Sequence, residues 1–81
     1  MDTQHLYDRL TSILVETFGV PAEDLSRDAT WWSLDLDSLD VVELMLVVEQ
    51  ELGVKVADEQ LEGINTVGQA VDVIAAAGVA A

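Results

Sequence analysis

The chain has 81 residues, enough for one domain around one core and too few for two. Sixteen acidic residues against three basic ones give a formal net charge of −13, and nucleic acid and anionic membrane surfaces both repel such a polyanion. Hydrophobic residues still make up 51% of the chain, which argues for a folded domain rather than an acidic disordered one, and the absence of cysteine removes disulfides, thiolate metal sites and cysteine nucleophiles.

Residues 1–81 are expected to form a single domain. At the start of the chain, Leu6, Leu10, Ile13, Leu14 and Phe18 fall on one face at the helical period, with Tyr7 on its flank. Gly19 ends this first helix and Val20-Pro21 prevents its continuation. A long loop follows to about Asp37, in which Pro21-Ala22-Glu23-Asp24 suits one short helical turn. Leu25, Trp31, Trp32, Leu34 and Leu36 are the apolar residues available to pin that loop to the core.

The second helix is read from about Ser38 to Leu52, with Asp37 as N-cap, Asp40 in the first turn and Gly53 just past its end. Val41, Leu44, Met45, Val48 and Leu52 lie within about 100° of arc and make its core face. A helical turn is expected at Asp58 to Leu61. The last helix begins at Thr66, whose partner Gln69 completes a capping box, and Val67, Ala70, Val71 and Ile74 form its buried stripe. Only Val54 and Val56 suggest an extended stretch, and a lone strand has no partner. The predicted fold is all-α, a small antiparallel bundle of three main helices plus a short one, with a long loop between the first and second.

Charge is concentrated in the middle of the chain. Residues 35–62 hold nine acids and one base, Lys55, a net of −8. The second helix also carries more apolar residues than one buried face needs: Leu39, Val42 and Leu46 fall roughly opposite the core stripe, interleaved with Asp40, Glu43 and Glu49. Either the helix packs on two sides, or these residues form a docking face of a few exposed hydrophobes inside an acidic rim. A partner for such a face would carry Arg and Lys, and the charge would speed encounter and select basic proteins.

Ser38 stands where the long loop meets the second helix. An Asp-Ser pair before an apolar helix is by itself only a capping signal. Yet Asp37-Ser38-Leu39-Asp40-Val41-Val42-Glu43-Leu44 resembles the attachment motif of acyl carrier proteins. Phe18-Gly19-Val20-Pro21-Ala22-Glu23-Asp24-Leu25 is similar to the end of that family's first helix. Glu49-Gln50-Glu51-Leu52-Gly53-Val54-Lys55-Val56-Ala57-Asp58-Glu59 and Ile64-Asn65-Thr66-Val67-Gly68-Gln69-Ala70 continue the likeness downstream.

The resemblance implies that Ser38 carries 4′-phosphopantetheine in phosphodiester linkage, donated from coenzyme A by a phosphopantetheinyl transferase. It also implies that the arm's thiol holds acyl intermediates as thioesters for fatty acid or polyketide biosynthesis, or a specialised amino-acyl starter unit. Partners would be acyltransferases, ketosynthases and related enzymes with basic docking surfaces, meeting Asp37, Leu39, Asp40, Val42, Glu43, Leu46 and Glu49. The chain itself would be a non-catalytic, free-standing, monomeric carrier.

Two departures from the family pattern stand out. Many members have Gly where Asp35 stands, and the loop before the motif usually has one aromatic followed by acids rather than Trp31-Trp32-Ser33. Asp35 and Leu36 also argue against the peptidyl carriers of nonribosomal synthesis, which typically show a Gly-Gly-His/Asp-Ser pattern.

The residues bear on the chemistry directly. A serine hydroxyl needs a base to become a nucleophile, and the single histidine, His5, is far from Ser38 in sequence, so base and Mg²⁺ would come from the transferase. The helix N-terminus attracts a phosphate while Asp35, Asp37 and Asp40 repel it; at about 0.3–1 kcal/mol each, the two effects leave the phosphate pointing into solvent. A Ca²⁺ loop beginning at Asp35 fails at Leu39, Asp40 and Leu46, and no metal site is expected. An acidic protein–protein adaptor without the modification is the alternative reading. No apolar run approaches the roughly 20 residues that span a bilayer, and Met-Asp-Thr-Gln-His lacks the pattern of a signal peptide, so a cytoplasmic location is expected.

Overall fold

The computed structural model describes residues 3–80 and contains four α-helices in the order α1 (Thr3–Phe18), α2 (Ser38–Leu52), α3 (Asp58–Leu61) and α4 (Val67–Ala80). Among the described residues there is no β-strand; one isolated antiparallel bridge joins Thr30 and Thr66. α1 packs against both α4 and α2. Leu6, Leu10 and Leu14 of α1, Leu44 and Val48 of α2, and Val67, Val71 and Ile74 of α4 are all but inaccessible to solvent, as the helical spacing of each segment requires. Leu52, at the edge of the α2 stripe, is only half-buried.

The helix ends follow from local chemistry. Gly19 and Gly53 stand at the ends of α1 and α2 with φ of +70° and +69°, a left-handed conformation that relieves the last turn and suits glycine. α4 opens as its capping box dictates: Thr66 Oγ1 accepts from the Gln69 N–H at 3.1 Å, and Gln69 Oε1 accepts from the Thr66 N–H at 3.2 Å. The same Gln69 oxygen also takes the Asn65 N–H at 2.7 Å. α2 uses an all-aspartate version of that device. Asp37 Oδ1 accepts from the Asp40 N–H at 2.9 Å and Asp40 Oδ2 from the Asp37 N–H at 3.2 Å.

The long loop between α1 and α2 is more ordered than its composition suggests. Ala22–Asp24 forms the expected short turn, and a second 3₁₀ turn lies at Trp32–Leu34. Residues 27–31 run beside residues 64–68. The Val67 N–H donates to Ala29 O at 3.0 Å, the Gly68 N–H to Arg27 O at 2.9 Å and the Trp31 N–H to Asn65 O at 3.3 Å. Val54 and Val56 are both buried in a segment without regular secondary structure, and among the described residues it belongs to no strand, so they serve as core anchors.

Candidate functional site

The two adjacent tryptophans take opposite fates. Trp31 is 8% exposed, and its indole N–H donates to Ile64 O at 2.9 Å, fixing the loop to the segment before α4. Trp32 is 81% exposed, so of the five apolar residues expected to pin the loop it is the one that does not. A 3₁₀ turn advances about 120° per residue, which is why neighbours in it cannot share one face.

The turn that carries Trp32 is held at both ends. Ser33 and Thr30 exchange backbone-to-side-chain hydrogen bonds, Thr30 N–H to Ser33 Oγ at 3.1 Å and Ser33 N–H to Thr30 Oγ1 at 3.2 Å, and Ser33 Oγ donates to Thr30 O at 2.7 Å. Beyond it Asp35 adopts φ 60°, ψ 32°, the left-handed region, with its N–H on Trp32 O at 3.1 Å. Glycine suits this conformation best, and aspartate is among the few other residues that tolerate it.

That turn delivers the chain to Ser38, the first residue of α2, whose side chain is exposed. The hydroxyl therefore sits in reach of solvent where free backbone N–H groups and the positive end of the helix dipole lie. Beside it is a cavity of about 350 Å³ lined by Trp31, Trp32, Leu36, Val41, Leu61 and Ile64, with Asp37, Ser38, Val42, Glu62 and Asn65 also bordering it. The cavity is largely apolar, with two carboxylates among its lining residues.

Along the outer side of α2, Leu39, Val42 and Leu46 are 72%, 43% and 52% exposed, so within this chain the helix is packed on one side only. Asp37, Glu43 and Glu49 are exposed around them, and Asp40 is half-buried with its carboxylate engaged in the cap. A smaller groove of about 80 Å³, lined by Val42, Met45, Leu46, Glu49, Lys55, Val56 and Leu61, shares Val42 and Leu61 with the first cavity. His5 lies exposed on α1, separated in sequence from Ser38 by the rest of that helix, residues 6–18, and by the long loop.

Comparisons with known proteins point to one family. A family model described as a phosphopantetheine attachment site matches residues 8–74. An acyl carrier protein of Saccharopolyspora erythraea is 41% identical over 73 residues, covering 89% of this chain and 77% of that protein. One from Picosynechococcus sp. is 40% identical over 73 residues, covering 89% and 90%. The chain belongs to the acyl carrier protein family.

The crystal structure of an acyl carrier protein from Thermotoga maritima superposes with a TM-score of 0.87 at 25% identity, covering 99% of this chain and 94% of that one. Acyl carrier proteins hold 4′-phosphopantetheine covalently and work with biosynthetic enzymes. The residues here fit such a group: a solvent-facing hydroxyl at a helix start, with open space beside it. Sequence reasoning missed Leu61, Glu62, Ile64 and Asn65 as neighbours of Ser38, because they come from the α3 region far along the chain. It also missed the Thr30–Ser33 exchange, for which the Thr-x-x-Ser spacing was the available signal. Among the described residues no helix is long and apolar enough to cross a membrane.

Proposed function

We propose that Ser38 is the attachment residue and that this carrier holds acyl intermediates as thioesters on a 4′-phosphopantetheine arm, in fatty acid or polyketide biosynthesis. The observation that carries the reading is the exposed Ser38 hydroxyl at the first residue of α2, inside the matched family region and beside the cavity. The Ser38 oxygen attacks the coenzyme A phosphorus that bears pantetheine. Its proton passes to a base of the transferase, and adenosine 3′,5′-bisphosphate leaves. No side chain of this protein is required as the base, and the chain acts as a substrate for its partners rather than as an enzyme. The apolar wall beside Ser38 receives the arm's load out of water between deliveries.

Asp37, Leu39, Asp40, Val42, Glu43, Leu46 and Glu49 form the docking face. Exposed hydrophobes inside a rim of carboxylates, on a chain of net charge −13, favour transient, salt-sensitive contact with basic surfaces of the transferase, acyltransferases and ketosynthases. The tether then makes delivery to a docked enzyme effectively intramolecular. Residues 1–81 act as a single carrier domain in the cytoplasm, and as a monomer.

Incubation with coenzyme A, Mg²⁺ and a broad-specificity phosphopantetheinyl transferase tests the reading. Intact mass rises by one phosphopantetheine in the wild type and is unchanged in Ser38→Ala. An unchanged wild-type mass would overturn it in favour of an unmodified adaptor. The acyl group found by mass spectrometry on protein isolated from its own cell distinguishes a fatty acid or polyketide intermediate from a specialised starter unit.

A further inference from the structure

Three features of the surface at Ser38 are not used by the attachment chemistry. Trp32 lines the cavity beside Ser38 yet is 81% exposed, and among the described residues its indole N–H has no hydrogen-bond partner. Its backbone is fixed on both sides: the Thr30–Ser33 exchange closes the turn in front of it, and the Leu36 N–H on Trp31 O at 2.9 Å closes the loop behind. A large apolar ring presented to water on a rigid turn exposes surface that folding left unburied.

The second feature is charge. Asp37 and Glu62 border the same cavity, and neither is paired with a cation of this chain among the described residues. None of the three basic residues lines this cavity. Arg9 pairs with Glu51 at 3.6 Å, the Arg27 guanidinium stands 5.5 Å from the Tyr7 ring centre, and Lys55 lines the smaller groove. The third is continuity, since Val42 joins the Trp32 cavity to the smaller groove that Leu46 lines, so Trp32 extends the exposed face of α2 rather than standing apart from it.

We propose that Trp32 is a partner-recognition residue: an enzyme that docks at Ser38 lays an arginine across the exposed indole, next to the carboxylates of Asp37 and Glu62. Arginine fits because its planar, weakly hydrated guanidinium stacks on an aromatic face while its edge donates to carboxylates. An indole on a hydrogen-bonded turn has only two side-chain torsions to lose on contact, so its large surface is ordered at low entropic cost. The inference rests on Ser38 being the attachment residue.

The test measures initial rates of phosphopantetheine transfer to the unmodified chain, with coenzyme A, Mg²⁺ and the same transferase, for Trp32→Ala, Trp32→Leu and Trp32→Tyr. Retained blue emission of buried Trp31 verifies that each variant is folded. Trp32→Ala and Trp32→Leu raise KM for the carrier about tenfold with kcat unchanged, while Trp32→Tyr stays within about threefold of wild type. Three results overturn the proposal: all variants matching wild type, Trp32→Leu matching wild type (an apolar contact without a cation), or a fall in kcat at constant KM (an effect on the reacting group, not on docking). Failure of the wild type to accept the arm would instead remove the attachment reading, and this proposal with it.

Discussion

Substituting Trp31 by phenylalanine removes the indole N–H while keeping an aromatic ring. Ile64 O then loses its 2.9 Å donor in a buried setting, and leaving a buried acceptor unpaired costs about 1–3 kcal/mol. The smaller ring also leaves a void of roughly 30–40 Å³, which at about 24 cal/mol per Å³ adds about 1 kcal/mol. The total is about 2–4 kcal/mol, a large share of the roughly 4–12 kcal/mol that a domain of this length possesses. Urea unfolding followed by far-UV circular dichroism reads it directly. With a slope of about 1 kcal/mol/M, typical of small proteins, the midpoint falls by about 2–4 M.

Trp32→Phe is the internal control. It changes a side chain one residue away with the same chemistry, and its 81% exposure keeps the effect within about 0.5 kcal/mol. Emission separates the two residues, because Trp31→Phe leaves only the solvated indole and its spectrum lies to the red of Trp32→Phe. Equal midpoints for the two variants would refute the argument that the Trp31–Ile64 contact fixes the loop.

The two faces of α2 give a second pair. Leu44→Ala, at a fully buried position, lowers unfolding free energy by about 2–5 kcal/mol. Leu39→Ala, at 72% exposure, leaves it within about 0.5 kcal/mol while slowing modification by the transferase; urea melts and transfer rates check both halves. Asp35→Gly relieves the left-handed conformation at φ 60° and leaves the unfolding free energy equal or raised, by up to about 1 kcal/mol, whereas Asp35→Val lowers it by about 1–2 kcal/mol, both read from urea melts.

Much of this protein was legible in the chain itself, because its helices are specified by local rules. Spacing of Leu6, Leu10 and Leu14 defines α1. Asp37 and Gly53 bracket α2, whose bounds at Ser38 and Leu52 match the structure. The Thr66–Gln69 pair opens α4. Each of these signals acts within about four residues, the reach of a helical turn. The short helix Asp58–Leu61 followed from the same reasoning. Ser38, the proposed attachment residue, was marked by motif rather than by physics, since an Asp-Ser pair alone reads as a cap.

What the chain could not specify locally, tertiary packing decided. Periodicity does not say whether Leu39, Val42 and Leu46 meet a second helix or water; only the placement of α1 and the shared core on the opposite side leaves them exposed. Likewise Trp31 and Trp32 are indistinguishable as residue types, and which one is buried depends on Ile64 O, thirty-three positions away, lying where one indole reaches it. Local hydrogen bonds and hydrophobic period set each helix, whereas burial is a property of what arrives from elsewhere in the chain, and the wall beside Ser38 exists only because the α3 region arrives there.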